Sequence, residues 1–230
     1  MEKKKNQIAV LFFLVLVSSA NAQFSMSVDL VSNYVFRGIE QDLVHPHGTP
    51  NIQPSIAYSC RGFSIGTWGS YAISGSVKEI DLYATYVFPK LFSLTLTDYN
   101  WGFTQSYFYY GKNTDHVFEG SANYLGVTSF PLSASANVMF YGADKRKDGK
   151  QAYSTYFELT YPIKDNVKLF VGGSLMESLN YGTTGFGVTN TGVKVSKTLS
   201  VTEKFTLPVF GILGFNPNEK DAYLVAGLTL

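Results

Sequence analysis

Charge is scarce in this chain. Asp, Glu, Lys and Arg together make up 15% of its 230 residues, against about 25% in an ordinary soluble domain. The 18 basic side chains nearly balance the 17 acidic ones, which argues against a basic nucleic-acid binder. Cys60 is the single cysteine. That excludes an internal disulfide framework and a multi-cysteine zinc or iron–sulfur site. Histidine occurs three times, at His45, His47 and His116. After Val17 no apolar run approaches the 18 residues that a membrane-spanning helix needs. What the chain has instead is 16 Tyr, 18 Phe and 21 Gly. So many aromatics with so little charge exclude intrinsic disorder and point to an all-β protein.

The N-terminus reads as a secretory signal. Lys3, Lys4 and Lys5 precede a ten-residue apolar run, Ile8 to Val17, and Ser18-Ser19-Ala20-Asn21-Ala22 supplies a small-x-small end. Ten apolar residues are too few to cross about 30 Å of hydrocarbon. Residues 1–22 are therefore expected to be cleaved, leaving Gln23 first and residues 23–230 as one domain. That domain carries 15 basic and 16 acidic side chains.

From there the chain alternates with the period of a strand. Over residues 24–37, Phe24, Met26, Val28, Leu30, Tyr34 and Phe36 share one face, opposite Ser25, Ser27, Asp29, Asn33 and Arg37. Similar segments at 79–88, 132–141, 153–161 and 167–175, with less regular ones between, bring the expected total to twelve. The connections alternate in length. The odd ones, such as 38–49 and 102–115, are mostly long and polar, whereas the even ones, such as Cys60-Arg61-Gly62 and Pro89-Lys90, are mostly short. Loops sorted by parity, an even strand count and aromatics near strand ends are the pattern of a membrane barrel. The expected fold is a single up-and-down antiparallel β-barrel in the outer membrane. Pro54, Pro208 and the poorly alternating segment 186–197 fit this pattern least.

The first third also carries a resemblance. Asn33-Tyr34-Val35-Phe36-Arg37-Gly38 is followed by Pro50 to Pro54, Gly66-Thr67-Trp68-Gly69-Ser70 and Glu79-Ile80-Asp81-Leu82-Tyr83. In this order and spacing, residues 28–86 resemble the TorF family of proposed porins, also labelled Gcw_chp, from Gram-negative outer membranes. The resemblance implies an outer-membrane barrel and a pore. It supplies no catalytic residue and no cofactor.

The candidate chemistry lies on the polar face. Asp29, Arg37, Asp81, Glu158 and Lys168 all alternate toward the expected lumen. They form either a constriction that sorts solutes by sign and size or ion pairs that lock the barrel. Arg37 is the leading candidate, expected to end the first strand, with Glu79 and Asp81 as possible partners. Tyr83, Tyr99, Tyr141, Tyr156 and Phe170 share this phase; they could narrow the lumen, close it or offer a stacking path. His45 and His47 with Asp42 have donors suited to a metal, but a polar loop is the favoured reading. Cys60 reads as an incidental thiol in a short turn. The basic run Lys145-Arg146-Lys147 reads as a solvated loop tip, or as a contact for lipopolysaccharide. No Gly-x-Ser-x-Gly elbow or defined Ser–His–acid set supports a hydrolase.

The expected function is passive passage of small hydrophilic solutes, without enzymatic activity or a cofactor. The alternative is a closed, non-conducting barrel that acts through its loops. Lipid, lipopolysaccharide and the outer-membrane insertion machinery are the expected partners. The reading is checked by phase partition: residues 23–230 should require detergent, and a chain that stays soluble without it would be a secreted β protein instead.

Overall fold

The computed structural model describes residues 22–45, 47–89 and 91–230. Apart from Ala22, the expected signal segment lies outside the described residues. Twelve strands close into one antiparallel barrel. They are β1 Ala22–Val31, β2 Asn51–Cys60, β3 Phe63–Ala72, β4 Lys78–Val87, β5 Phe92–Asn100 and β6 His116–Tyr124. The second half comprises β7 Ser133–Gly142, β8 Thr155–Lys164, β9 Val167–Ser174, β10 Gly187–Ser200, β11 Thr206–Asn216 and β12 Asp221–Thr229. Each strand pairs with its sequence neighbour, and β12 returns to β1. The seam is short. β1 matches β2 from Ala22–Cys60 to Val31–Asn51, but meets β12 only from Asp29–Thr229 to Val31–Gly227. Reciprocal backbone bonds between Val28 and Leu230 extend the seam slightly.

Period-2 alternation explains both walls. The outer wall is apolar and exposed, with Phe24, Met26, Leu94, Leu159, Leu213 and Leu224 among its side chains. The inner wall is polar. Ser27 and Ser55 meet at 2.8 Å, Thr85 and Thr95 at 2.9 Å, so facing hydroxyls satisfy each other across adjacent strands. The prolines fall where pairing lapses: the β2–β3 ladder skips Gln53 and Pro54, and Pro208 lies beyond the last β11–β12 pair, Val209–Leu228. Each therefore removes a hydrogen bond the sheet does not make there. The segment with poor alternation is the longest strand, Gly187–Ser200.

Inward aromatics lie down rather than reach across. A Cβ on Gly66 would strike the Tyr83 ring, on Gly172 Tyr156, on Gly192 Phe170, on Gly214 Tyr223 and on Gly227 Phe210. Each ring covers a glycine of the neighbouring strand, an arrangement that supports the strand where it lacks a side chain. Rings laid against the wall take up less of the lumen than rings reaching across it.

Two expected placements are corrected. β1 ends at Val31, not near residue 37, so Tyr34 and Phe36 are not part of an outer girdle. Tyr34 is buried against Ala72 and Val77, and Phe36 packs inside near Tyr99. Tyr141 does not face inward either. The β6–β7 register shifts between Phe118–Tyr141 and Glu119–Met139; this bulge leaves Met139 buried while Phe140 and Tyr141 are both exposed. A bulge re-aims every side chain beyond it.

The long loop 101–115 folds back onto the outer wall. There His116 Nδ1 lies 2.7 Å from Asp98 Oδ1, and the His116 Nε2 lies against the Tyr107 carbonyl oxygen. Both side chains share the outward phase with Leu94, Leu96 and Phe118. Tyr107 and Tyr110 pack against the imidazole at ring distances of 5.1 and 4.3 Å, so the pair is buried under the loop. Leaving a buried polar group without its hydrogen-bond partner typically costs about 1–3 kcal/mol. His116→Ala should therefore release loop 101–115 to limited proteolysis while the barrel's β circular dichroism persists.

Candidate functional site

The chain between β1 and β2 turns into the barrel. Val35–Phe36 and Ile39–Glu40 form a small hairpin whose two-residue tip is Arg37-Gly38. Both residues have positive φ, 54° and 83°, as a type I′ turn requires. Gly38 is obligatory at the tip, since a Cβ there would overlap the Thr189 carbonyl. The Thr189 hydroxyl donates to the Arg37 carbonyl at 3.2 Å, and the Asn216 amide donates to the Gly38 carbonyl at 3.1 Å. The hairpin backbone is thus tied to β10 and β11.

Its side chain is tied to another part of the ring. Arg37 Nη1 donates to Glu119 Oε2 at 2.5 Å and Nη2 to Oε1 at 2.7 Å, a two-pronged pair with β6. Nη1 also donates to the Tyr181 hydroxyl, and Tyr99 donates to Glu119 Oε1 at 3.1 Å. The guanidinium centre stands 4.7 Å from the Phe36 ring and 4.6 Å from the Tyr156 ring. Planar stacking and forked donation are what arginine offers and lysine does not. Burial alone would lower the Arg37 pKa, but the neighbouring Tyr181 and Glu119 outweigh it and hold the pKa above its ordinary value. Burial pushes the Tyr181 hydroxyl up to about 12, so it stays protonated. Tyr181 comes from a second inserted hairpin, Glu177–Ser178 paired with Thr183–Thr184.

The hairpin separates two cavities. One, about 330 Å³, opens toward the loops and is lined by Phe36, Glu40, Glu79, Trp101 and Glu219. The other, about 340 Å³, lies below the hairpin and is lined by Asp29, Gln53, Glu158, Asn190, Lys194 and Tyr223. A third space of about 550 Å³, lined by Ser133, Thr160 and Lys168, sits beside the turns. A groove of about 790 Å³ lined mainly by apolar side chains, Leu159, Leu169 and Leu213 among them, lies along the wall formed by β8 to β11.

The five expected charges are spread over the barrel rather than gathered in one ring. Arg37 is at the centre, but on an inserted hairpin rather than a strand end, and its carboxylate partner is Glu119, not Asp81 or Glu79. Asp81 is buried on β4, one carboxylate oxygen without a hydrogen-bond partner. Asp29 accepts from the Thr229 hydroxyl at 2.6 Å. Glu158 accepts from Tyr156 at 2.7 Å and from Asn190 at 3.1 Å. Lys168 is exposed at the turn end. Among the described residues, no ion pair joins any of the five except Arg37–Glu119.

Sequence reasoning missed Glu119, Tyr181 and Lys194. Glu119 was findable, because Val117, Glu119 and Ser121 share the inward phase of β6. Lys194 sits in the strand whose alternation is poor, and Tyr181 is in a loop, where no periodicity points inward. The expected His45–Asp42 proximity exists, at 3.1 Å. Asp42 is chiefly a loop clamp: it accepts from Thr49, from Ser76 and from the backbone of Val44 and His45. Burial raises its pKa, but these bonds outweigh it and hold the carboxyl well below its usual range.

A depressed carboxyl stabilises the fold above the ordinary carboxylate range, and that contribution is lost as pH falls through the folded value. The clamp should therefore hold from neutral pH down through mildly acid pH. Asp42→Ala should remove it at all these pH values, raising amide exchange at residues 43–49 and 74–76; unchanged exchange would show the clamp to be idle.

A family model described as a bacterial protein of unknown function (Gcw_chp) matches residues 17–168, well over half of the chain. The match takes in Arg37 and Glu119 and stops before Tyr181. No curated protein and no solved structure matches.

Proposed function

The chain belongs to the Gcw_chp family of bacterial proteins of unknown function, and from that premise and its barrel we propose an outer-membrane protein that passes small hydrophilic solutes under control of the inserted hairpin. An apolar outer wall around a polar interior suits a lipid bilayer. Its surroundings would be lipid and lipopolysaccharide, reached through the outer-membrane insertion machinery. No cofactor or enzymatic step is part of the proposal.

One observation carries the reading: the Arg37–Glu119 pair stands between two lumen cavities, on a hairpin anchored to β6, β10 and β11. Solute must pass this point. The flattened aromatics below it leave room to approach. The second reading, a barrel that never conducts, draws on the same pair. Arg37 is largely enclosed and makes three side-chain hydrogen bonds, and breaking such a pair costs about 3–5 kcal/mol.

Planar-bilayer conductance separates the two. The native barrel should show small or rare steps. Arg37→Ala should open more often or conduct several-fold more, with altered ion selectivity. A barrel that inserts but conducts in neither form would sink the pore and leave the loops as the working surface.

A further inference from the structure

The cavity below the hairpin holds charges of both signs, Asp29 and Glu158 against Lys194, that the fold does not join as ion pairs. Lys168 and Lys194 are direct cross-strand partners on the inward face of β9 and β10. Like charges so placed repel unless something answers them. Among the described residues, no carboxylate pairs with either lysine. Lys194 is further positioned by the Phe210 ring, whose centre lies 4.6 Å from its ammonium, while that ring lies flat over Gly227. The ammonium is thereby held at the wall and aimed into the cavity.

Glu158 lies on the same cavity with the opposite sign. Tyr223 donates to the Asn190 carbonyl oxygen, and the Asn190 amide in turn donates to Glu158 Oε2 at 3.1 Å. Tyr156 donates to the same oxygen at 2.7 Å. The second oxygen, Oε1, has only the Thr160 hydroxyl at 3.4 Å. A carboxylate oriented by three neutral groups and answered by no cation is equipped to receive one.

We propose that this cavity is a binding site for a small zwitterion of the amino-acid class. The solute's ammonium would sit at Glu158 Oε1, and its carboxylate at Lys194, with Lys168 drawing it in from the turn end. Size agrees: 340 Å³ matches the share of about eleven waters at about 30 Å³ each, room for roughly ten heavy atoms. A singly charged solute would leave one of the two signs unanswered. The proposal rests on the lumen being a solute path, and it names the class of solute.

Binding is measured by titration calorimetry on the refolded chain in detergent, which needs no conduction. The probes are L-glutamine, butyrate and butylamine. L-Glutamine should bind saturably, with each single-charge probe at least tenfold weaker. Lys194→Met should weaken L-glutamine at least tenfold, and Glu158→Gln likewise. Lys168→Met, a change at the exposed mouth, should weaken it less, and the β circular dichroism of each variant checks folding. Butyrate binding as well as L-glutamine would overturn the proposal in favour of a plain anion site, and no binding of any probe at millimolar concentration would overturn it outright. Binding without conductance would refute the pore and keep this site. Conductance with no L-glutamine binding would do the reverse.

Discussion

A guanidinium buried inside a barrel has to be answered from all sides, and Arg37 is. Its charge meets Glu119, its plane meets Phe36 and Tyr156, and a spare N–H meets Tyr181. These groups come from the first inserted hairpin, β6, β8 and a second inserted hairpin. This one side chain draws together four separate elements. The arrangement of the loop-side half follows from it. The first hairpin must enter the lumen to deliver Arg37, the second must enter to deliver Tyr181, and Tyr99, Val117 and Met139 pack around them. Without the ion pair the first hairpin would keep its backbone ties to β10 and β11 but lose its side-chain link to β6.

The two halves of the barrel therefore obey different physics. The loop-side half is a packed interior with a buried charge pair, close to the core of a small soluble domain. The turn-side half is a polar wall, where hydroxyl pairs and aromatics laid over glycines line the cavities. A twelve-stranded ring is wider than side chains alone will fill and narrower than a general-purpose channel. This chain uses the surplus width at one end for inserted backbone and leaves it free at the other.

Much of the ring was legible in the sequence, because the period of two is a local signal that each strand carries by itself. The count of twelve, the sorting of loops by length and the inward phase of Asp29, Asp81, Glu158 and Lys168 all rest on it. The signal failed where the chain left the sheet while still alternating. Residues 32–37 keep the pattern of β1, yet they turn inward to form the hairpin, so Tyr34 and Phe36 were placed on the wrong surface. It failed again at Phe140, where one extra residue in β7 reverses the phase and sends Tyr141 outward. The partnership of Arg37 with Glu119 joins positions 82 residues apart, and no periodicity encodes which of several inward carboxylates a loop arginine will reach.

The closing seam has a consequence for how the ring comes into being. β1 is matched along its full length to β2, yet meets β12 over only a few residues. The sheet can zip from β1 onward through long ladders, each laid on the one before. The join that turns sheet into cylinder is the shortest ladder of the ring. Leu230 ends at that join, opposite Val28. The cylinder thus resembles a rolled sheet with a lightly stitched edge.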